Sequence, residues 1–351
     1  MAANRIVDLS SDTSTRPSPG MRKAMAEAEV GDEQKAEDPT TNALQERVAE
    51  LLGKEAAMFL PSGTMCNQIA LLVHCRPGDE VIAADMAHIF TSEAGGGSAL
   101  AGVQTWPIAT KRGIFSGAEA QAAVREPGGR HGPRSRLVAV EQTVNRGGGA
   151  VWPLEAIEDV SRTARRHGLA VHMDGARILN AVVASGIAAN RIAAPVDSVW
   201  LDLSKGLGCP VGGVLAGSRD FIEEAWQWKH RLGGALRQSG VLAAAGVYAL
   251  DHNVERLAED HGNARRLADM LGAIAGIRIM NPEVDTNIVF VDPTASGKSP
   301  KEIVAGLVEH GVRMGTSYGG MIRAVTHLDV TADDMEIAAR AFASALKGRG
   351  R

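Results

Sequence analysis

Between Asn42 and about Leu250, short apolar runs alternate with segments of helical periodicity, and this rhythm constrains the fold more than any other feature of the 351-residue chain. A parallel sheet requires such alternation, because each return to the same edge needs a long crossover, usually a helix. Asn42-ALQERVAELLGK carries Leu44, Val48, Leu51 and Leu52 at helical spacing, and Glu55-AAMFLP then reads as a strand. Further strands are predicted at Glu80-VIAA, Ser135-RLVAVEQ, Leu169-AVHMD, Ser198-VWLDLS and Val211-GGVLAG, each bounded by Gly, Pro or charged residues. The expected architecture is α/β, a mostly parallel sheet flanked by helices over residues 41–250. Over residues 251–351 the pattern changes to short strands such as Ile277-RIM, Thr286-NIVFVD and Met321-IRAVTH with two late helices, a small α+β C-terminal domain. Residues 1–40 contain Pro17, Pro19, Gly20, Gly31 and Pro39, cannot form one helix, and are expected to drape over the site or a neighbouring subunit.

A net charge of −4 and a pI near 6.2 give no general attraction to nucleic acid or anionic lipid, so the expected partner is a small molecule. No apolar run reaches the roughly 20 residues that span a bilayer, and Met1-AANRIVDLS lacks the apolar core of a signal peptide, which predicts a cytoplasmic protein without membrane contact. Cys66, Cys75 and Cys209 are too few and too scattered for a disulfide framework and read as small buried hydrophobes.

Two of the predicted strands end in reactive side chains: Leu169-AVHMD in Asp174 and Ser198-VWLDLS before Lys205. An amine that can hold an aldehyde as an imine, with a carboxylate that keeps a ring nitrogen protonated, is what pyridoxal phosphate (PLP) chemistry requires. Pro61-SGTMCNQIALL follows a strand and opens a helix, so Ser62, Gly63 and Thr64 form a phosphate cup at a positive helix terminus, or, on the plainer reading, an N-cap and turn. His88, just beyond a strand, could stack on an aromatic cofactor and exchange protons. His172 points to the same side of its strand as Asp174 and could bond that carboxylate, or be a satisfied core histidine. Arg177 and Arg323 are candidate clamps for a substrate carboxylate. The histidines lack metal-ligand spacing, and no metal is expected. Gly315-TSYG imitates a nucleophile elbow without the helix that must follow it, and Gly206, Gly208 and Gly212 imitate a dinucleotide loop at the wrong spacing.

Ser11-DTSTRP, Glu37-DPTTNALQ, Pro61-SGTMCNQIAL, Asp174-GARILNA, Leu203-SKGLGCPVG, Leu232-GGALRQSGVLAAA and Val325-THLDV lie in one order that resembles the low-specificity threonine aldolases, in the β-eliminating lyase group of fold-type I PLP enzymes. The resemblance spans about residue 8 to residue 330. It implies a fold-type I PLP-dependent transferase-like architecture and cleavage of a β-hydroxy-α-amino acid to glycine and an aldehyde. It further implies that Lys205 bears the cofactor imine, Asp174 pairs with the pyridinium nitrogen, His88 stacks on the ring, and Gly63 and Thr64, with Ser62 and Ser204 beside them, hold the cofactor. Ser11, Arg177 and Arg323 would grip the substrate carboxylate, Lys229 and Arg237 would reach a phosphate across a subunit interface, and the protein would be a homo-oligomer, a dimer or tetramer with shared sites. Two positions depart from the family pattern. Glu141-QTV stands where Glu-Asn-Thr-His is usual, so Val144 replaces a histidine near the substrate hydroxyl, and Lys35-AEDP replaces a tyrosine with a cation. These departures leave racemization or β-elimination on the same scaffold as the alternative reaction.

Overall fold

The computed structural model describes residues 5–125, 129–281 and 283–347; the remaining residues, the first four of Met1-AANRIVDLS among them, lie outside the described set. Seven strands form the main sheet and are numbered here in chain order: β1 Ala56–Leu60, β2 Asp79–Ala84, β3 Gln104–Ile108, β4 Arg134–Glu141, β5 Ala170–Gly175, β6 Ser198–Asp202 and β7 Gly213–Gly217. Their spatial order is β1-β7-β6-β5-β4-β2-β3. Pairing is parallel from β6 through β3, whereas β7 runs antiparallel to both β6 and β1. The reversal follows from chain length: residues 203–212 form a loop too short for a crossover helix, so β7 can only turn back beside β6.

Strand β3 escapes sequence reading because Gln104, Thr105, Trp106 and Pro107 are all exposed at the sheet edge. An edge strand needs no apolar run, and a proline there forfeits no ladder bond that the core depends on. Among the inner strands β2 and β6 are buried throughout, β5 from Val171 onward and β4 from Leu137 onward, as their apolar runs predict.

The second sheet is antiparallel, in the order Gly315–Ser317, Met321–Val325, Ile288–Asp292, Arg278–Ile279. It packs with the helices Leu257–Gly272, Pro300–Glu309 and Ala332–Lys347 around Leu267, Val289, Ile322 and Phe342. Val7 and Leu9 belong to this same cluster, and Val7–Asp8 pairs in parallel with Val312–Arg313, whereas Met21 joins the core of the main sheet. The N-terminal segment is therefore built into both cores. Its prolines and glycines stop one long helix from forming, and the short pieces that remain each bury their own apolar residues. Among the described residues, no helix is long and apolar enough to cross a membrane.

Candidate active site

In a sheet of this kind the carboxyl ends of the parallel strands open onto the crevice where ligands bind. Register brings Glu141 of β4 opposite Asp174 of β5, and Asp174 opposite Trp200 of β6, so two carboxylates stand side by side at one level. A cavity of about 350 Å³ opens here. Lys205 and Ser204 enter it from the loop after β6, Asp174 from β5, and Ser62, Gly63 and Thr64 from the start of the helix Gly63–His74. Ser11 comes from the N-terminal segment, Arg177 from the turn after β5, and Arg323 from the second sheet. His88 opens the short helix His88–Thr91 on the opposite wall.

The Ser62 hydroxyl accepts from the Met65 amide, which leaves the amides of Gly63 and Thr64 in the first turn without a partner inside their own helix. A side chain on Gly63 would collide with Trp200, whose ring atom Cη2 lies 2.1 Å from where that Cβ would stand. The glycine is thus required by packing against the indole.

Asn67, one turn further along the helix, is the hub of a buried polar chain. Its Nδ2 donates to Asp174 Oδ2 at 2.8 Å and to Glu93 Oε1 at 2.7 Å, and its Oδ1 accepts from Trp200 Nε1 at 2.8 Å. His172 Nε2 approaches the same Oδ1 at 3.1 Å, so that nitrogen carries the proton and Nδ1 must accept from the Ser198 hydroxyl at 2.8 Å. Ser198 then accepts from His74 Nε2 at 2.7 Å. Every donor in the chain points toward the two carboxylates. Burial pushes His172 down to about 3 and His74 down to about 4, so both stay neutral. His172 thus meets Asp174 through Asn67 and not directly. His88, Glu93 and Asp174 each bring a ligand-type atom within 4.8 Å of the others, but the Asn67 amide already lies between the two carboxylates as a donor. Asn67→Ala would leave two buried carboxylates facing each other. We expect a loss of about 3 kcal/mol in urea unfolding, from charge-assisted bonds with no substitute; a loss under about 0.5 kcal/mol would mean that the carboxylates find other partners.

Burial lowers the His88 imidazole, but the bond from Nδ1 to Glu93 at 2.8 Å and the charge of Asp174 outweigh it, and the net direction is upward. With Nδ1 committed to Glu93, Nε2 is the nitrogen left for the cavity. Glu141 accepts the backbone amides of His88 and Asn145, both at 2.8 Å, and burial with the charge of Asp174 pushes its carboxyl up to about 7.

The two arginines have unlike surroundings. Arg177 binds Asp12 in a two-pronged pair, Nε to Oδ2 and NH2 to Oδ1, both at 2.7 Å and both side chains buried. Asn287 adds a third bond to Asp12. Arg323 meets only neutral acceptors, Asn145 Oδ1 and the Ser10 carbonyl, each at 3.2 Å, and no ion pair involves it among the described residues. Among the described residues, Arg323 is therefore the cation in the cavity that no carboxylate pairs with.

Four residues singled out in the sequence stand elsewhere. Val144 is fully buried, bridged to Ala150 and packed against Gly113 and Gly147, because its apolar side chain turns into the core while the next residue, Asn145, faces the cavity. Lys35 is exposed beside a separate cavity of about 280 Å³ that also touches Asn42 and Trp226. Lys229 is fully buried against Glu33, and burial lowers its ammonium while Glu33 opposes that shift. Arg237 is exposed and pairs with Asp32 at 2.9 Å. Asp12, Asn67, Glu93 and Asn145 were not singled out, since each lies in a segment read for another residue. A buried acid in Ser11-DTSTRP, facing Arg177, is the kind of pairing that only charge complementarity across distant segments could have suggested.

The sequence model of the β-eliminating lyase family matches residues 8–294. The chain belongs to that family. It is 44% identical over 342 residues to the low specificity L-threonine aldolase of Escherichia coli K12, an overlap covering 96% of this chain and 99% of that protein. It is 41% identical over 346 residues to low-specificity L-threonine aldolase 1 of Arabidopsis thaliana, covering 97% of each. Among solved structures, Leishmania major threonine aldolase matches with a TM-score of 0.82 at 23% identity, over 96% of this chain and 98% of that one. Sphingomonas wittichii serine palmitoyltransferase matches with a TM-score of 0.75 at 19% identity, over 97% and 87%. At such identities the likeness speaks for the fold alone, and the fold is that of the fold-type I PLP enzymes.

Proposed function

We propose that this chain is a PLP-dependent aldolase that cleaves a β-hydroxy-α-amino acid, threonine, allo-threonine or a bulkier analogue, to glycine and an aldehyde. The observation that carries this reading is that Lys205, Asp174 and the helix terminus whose Gly63 and Thr64 amides have no partner within the helix face one cavity. The donor set fits the cofactor, with an amine for an aldehyde, a carboxylate for a basic ring nitrogen, and amides with hydroxyls for a phosphate. The family, and the names that its relatives in E. coli and Arabidopsis bear, support the same reaction.

Bound there, PLP supplies a conjugated sink for the electron pair released as the Cα–Cβ bond breaks. The chain's own residues do the rest. Asp174 holds a proton at the ring nitrogen, and Asn67 holds Asp174. Ser62, Gly63 and Thr64 would hold the phosphate, whereas Ser204 borders the cavity but gives both its amide and its hydroxyl to Asp202, and His88 would offer Nε2 to the ring and the substrate. Arg323 and Ser11 take the substrate carboxylate, which fixes the Cα–Cβ bond in one orientation. Arg177, already paired with Asp12, shapes that grip and offers its remaining N–H. The titratable groups placed to exchange a proton at the substrate hydroxyl are His88 and Glu141. Arg237, exposed on the basic segment that also holds Lys229, His230 and Arg231, is the side chain suited to reach a neighbouring subunit's cavity in a homo-oligomer.

The test is to incubate the protein with PLP and threonine, allo-threonine or a bulky β-hydroxy analogue and to measure glycine and aldehyde. Consumption of another amino acid with neither product formed would replace the aldolase reading with racemization or β-elimination. Arg323→Gln is expected to raise KM about 10- to 100-fold, the worth of a charge-assisted bond, with a smaller change in kcat. An unchanged KM would remove Arg323 from the carboxylate grip.

A further inference from the structure

Asp202 closes β6 three residues before Lys205 and borders the same cavity, with its side chain only 5% exposed. One of its oxygens is committed to the local turn: Oδ1 accepts the Ser204 amide at 2.7 Å and the Ser204 hydroxyl at 2.9 Å. This closed turn fixes the carboxylate and leaves Oδ2 facing the lysine. Oδ2 meets Lys205 Nζ at 2.9 Å, and Lys205 is its one ion-pair partner among the described residues.

Other charged groups surround the pair without replacing this contact. Asp12 from the N-terminal segment and Asp174 from β5 act on Lys205 through space, but each has its own hydrogen-bond partners, Arg177 and Asn287 for the first and Asn67 for the second. Arg177 acts on Asp202 at longer range while bound to Asp12. The thiols of Cys66, on the helix Gly63–His74, and of Cys209, in the loop after Lys205, are pushed up by burial and by Asp202, so they remain neutral. Behind Nζ stands the Trp200 ring, 5.6 Å from nitrogen to centroid, which offers no acceptor oxygen.

We propose that Asp202 is a catalytic residue, the dedicated counter-ion of the Lys205 nitrogen, which would keep a proton on that nitrogen when it is joined to the cofactor. This rests on the reading of Lys205 as the cofactor-bearing lysine. A protonated nitrogen at this point draws electrons from the carbon it is bound to and makes that carbon easier for a substrate amine to attack. A fixed anion at 2.9 Å in a recessed site stabilises the charged form far more than it would in water. Geometry favours this over a purely structural role, since the turn is already closed by Oδ1 and needs nothing from Oδ2.

The experiment is a pH titration of the visible absorbance of the bound cofactor in the wild type and in Asp202→Asn, Asp202→Glu and Lys205→Ala. Asp202→Asn keeps an oxygen for the Ser204 contacts and removes both the charge and the acceptor that face Lys205. Its midpoint for loss of the nitrogen proton is expected to fall by about one to three pH units, with the alkaline limb of the kcat profile moving by the same amount. Asp202→Glu, which keeps the charge, is expected to restore most of that shift. An Asp202→Asn midpoint within about 0.3 unit of the wild type would overturn the proposal, since an opposite charge at this distance normally shifts a titration by more. So would an equal fall in both Asp202 variants, which would mark a general disturbance of the turn. The cofactor reading fails separately if the wild type binds PLP without any band that Lys205→Ala removes, and the role of Asp202 would fall with it.

Discussion

Lys205→Ala is expected to lower the rate of glycine formation by about 10⁴-fold, the scale seen when one member of a set that acts as a unit is removed. The same variant should lose the visible absorbance of the lysine-bound cofactor while still binding PLP, because the helix terminus at Gly63 and Thr64 and the carboxylate of Asp174 do not depend on the lysine. The fold should survive. Lys205 is partly exposed, lies at the cavity and not in a hydrophobic core, and its ammonium has Asp202 as its one ion-pair partner among the described residues. Borohydride reduction followed by peptide mapping would label position 205 in the wild type only. Retention of the wild-type rate, or a label on another lysine, would move the chemistry elsewhere.

The second large effect concerns stability. Asp12→Ala is expected to destabilise the fold by about 3–5 kcal/mol, because it leaves the buried guanidinium of Arg177 unpaired. Urea unfolding of the two proteins at neutral pH checks this, and a difference below about 1 kcal/mol would mean that Arg177 finds another anion or water. The pH dependence follows from the same pair. Burial alone would raise the Asp12 carboxyl above its ordinary value of 3.8, but the charge and hydrogen bonds of Arg177 hold it well below the usual carboxylate range. A carboxylate depressed in the folded state favours folding above its unfolded pKa and loses that contribution as the pH falls through the folded one. The stability that Asp12 adds should therefore be complete above about pH 5 and decline progressively below pH 4. The stability difference between wild type and Asp12→Asn isolates this contribution, since the other acids, including Glu141 and Asp260 with their raised values, titrate in both proteins.

Part of the site was legible in the sequence because strand ends can be read. An apolar run that closes on Asp174, a second that closes before Lys205, and a Ser-Gly-Thr that opens a helix each mark a strand end at the same edge of a parallel sheet. Once the strand order is right, those residues must meet. The arginines were legible as candidates but not as unequal partners: only the fold brings Asp12 from the N-terminal segment onto Arg177 and leaves Arg323 with neutral acceptors. Val144 misled for a related reason. Its place in the motif suggested a substrate contact, but neighbouring residues in such a loop point in different directions, and packing against Gly113 and Gly147 took the apolar one inward and left Asn145 outward.

The order of apolar runs, their length and the residues that end them depend on local chemistry, and these alone determined the α/β class, the parallel core of the sheet and the edge where the reactive groups gather. Which polar side chains pair was decided only by tertiary structure. Asn67 between Asp174 and Glu93, Asp12 on Arg177, and Glu33 on Lys229 each join segments that the sequence does not relate. Hydrophobic burial depends on composition and period and survives many arrangements of side chains. Hydrogen bonds and ion pairs depend on tenths of an ångström between distant residues, and the chain acquires those distances only when it packs.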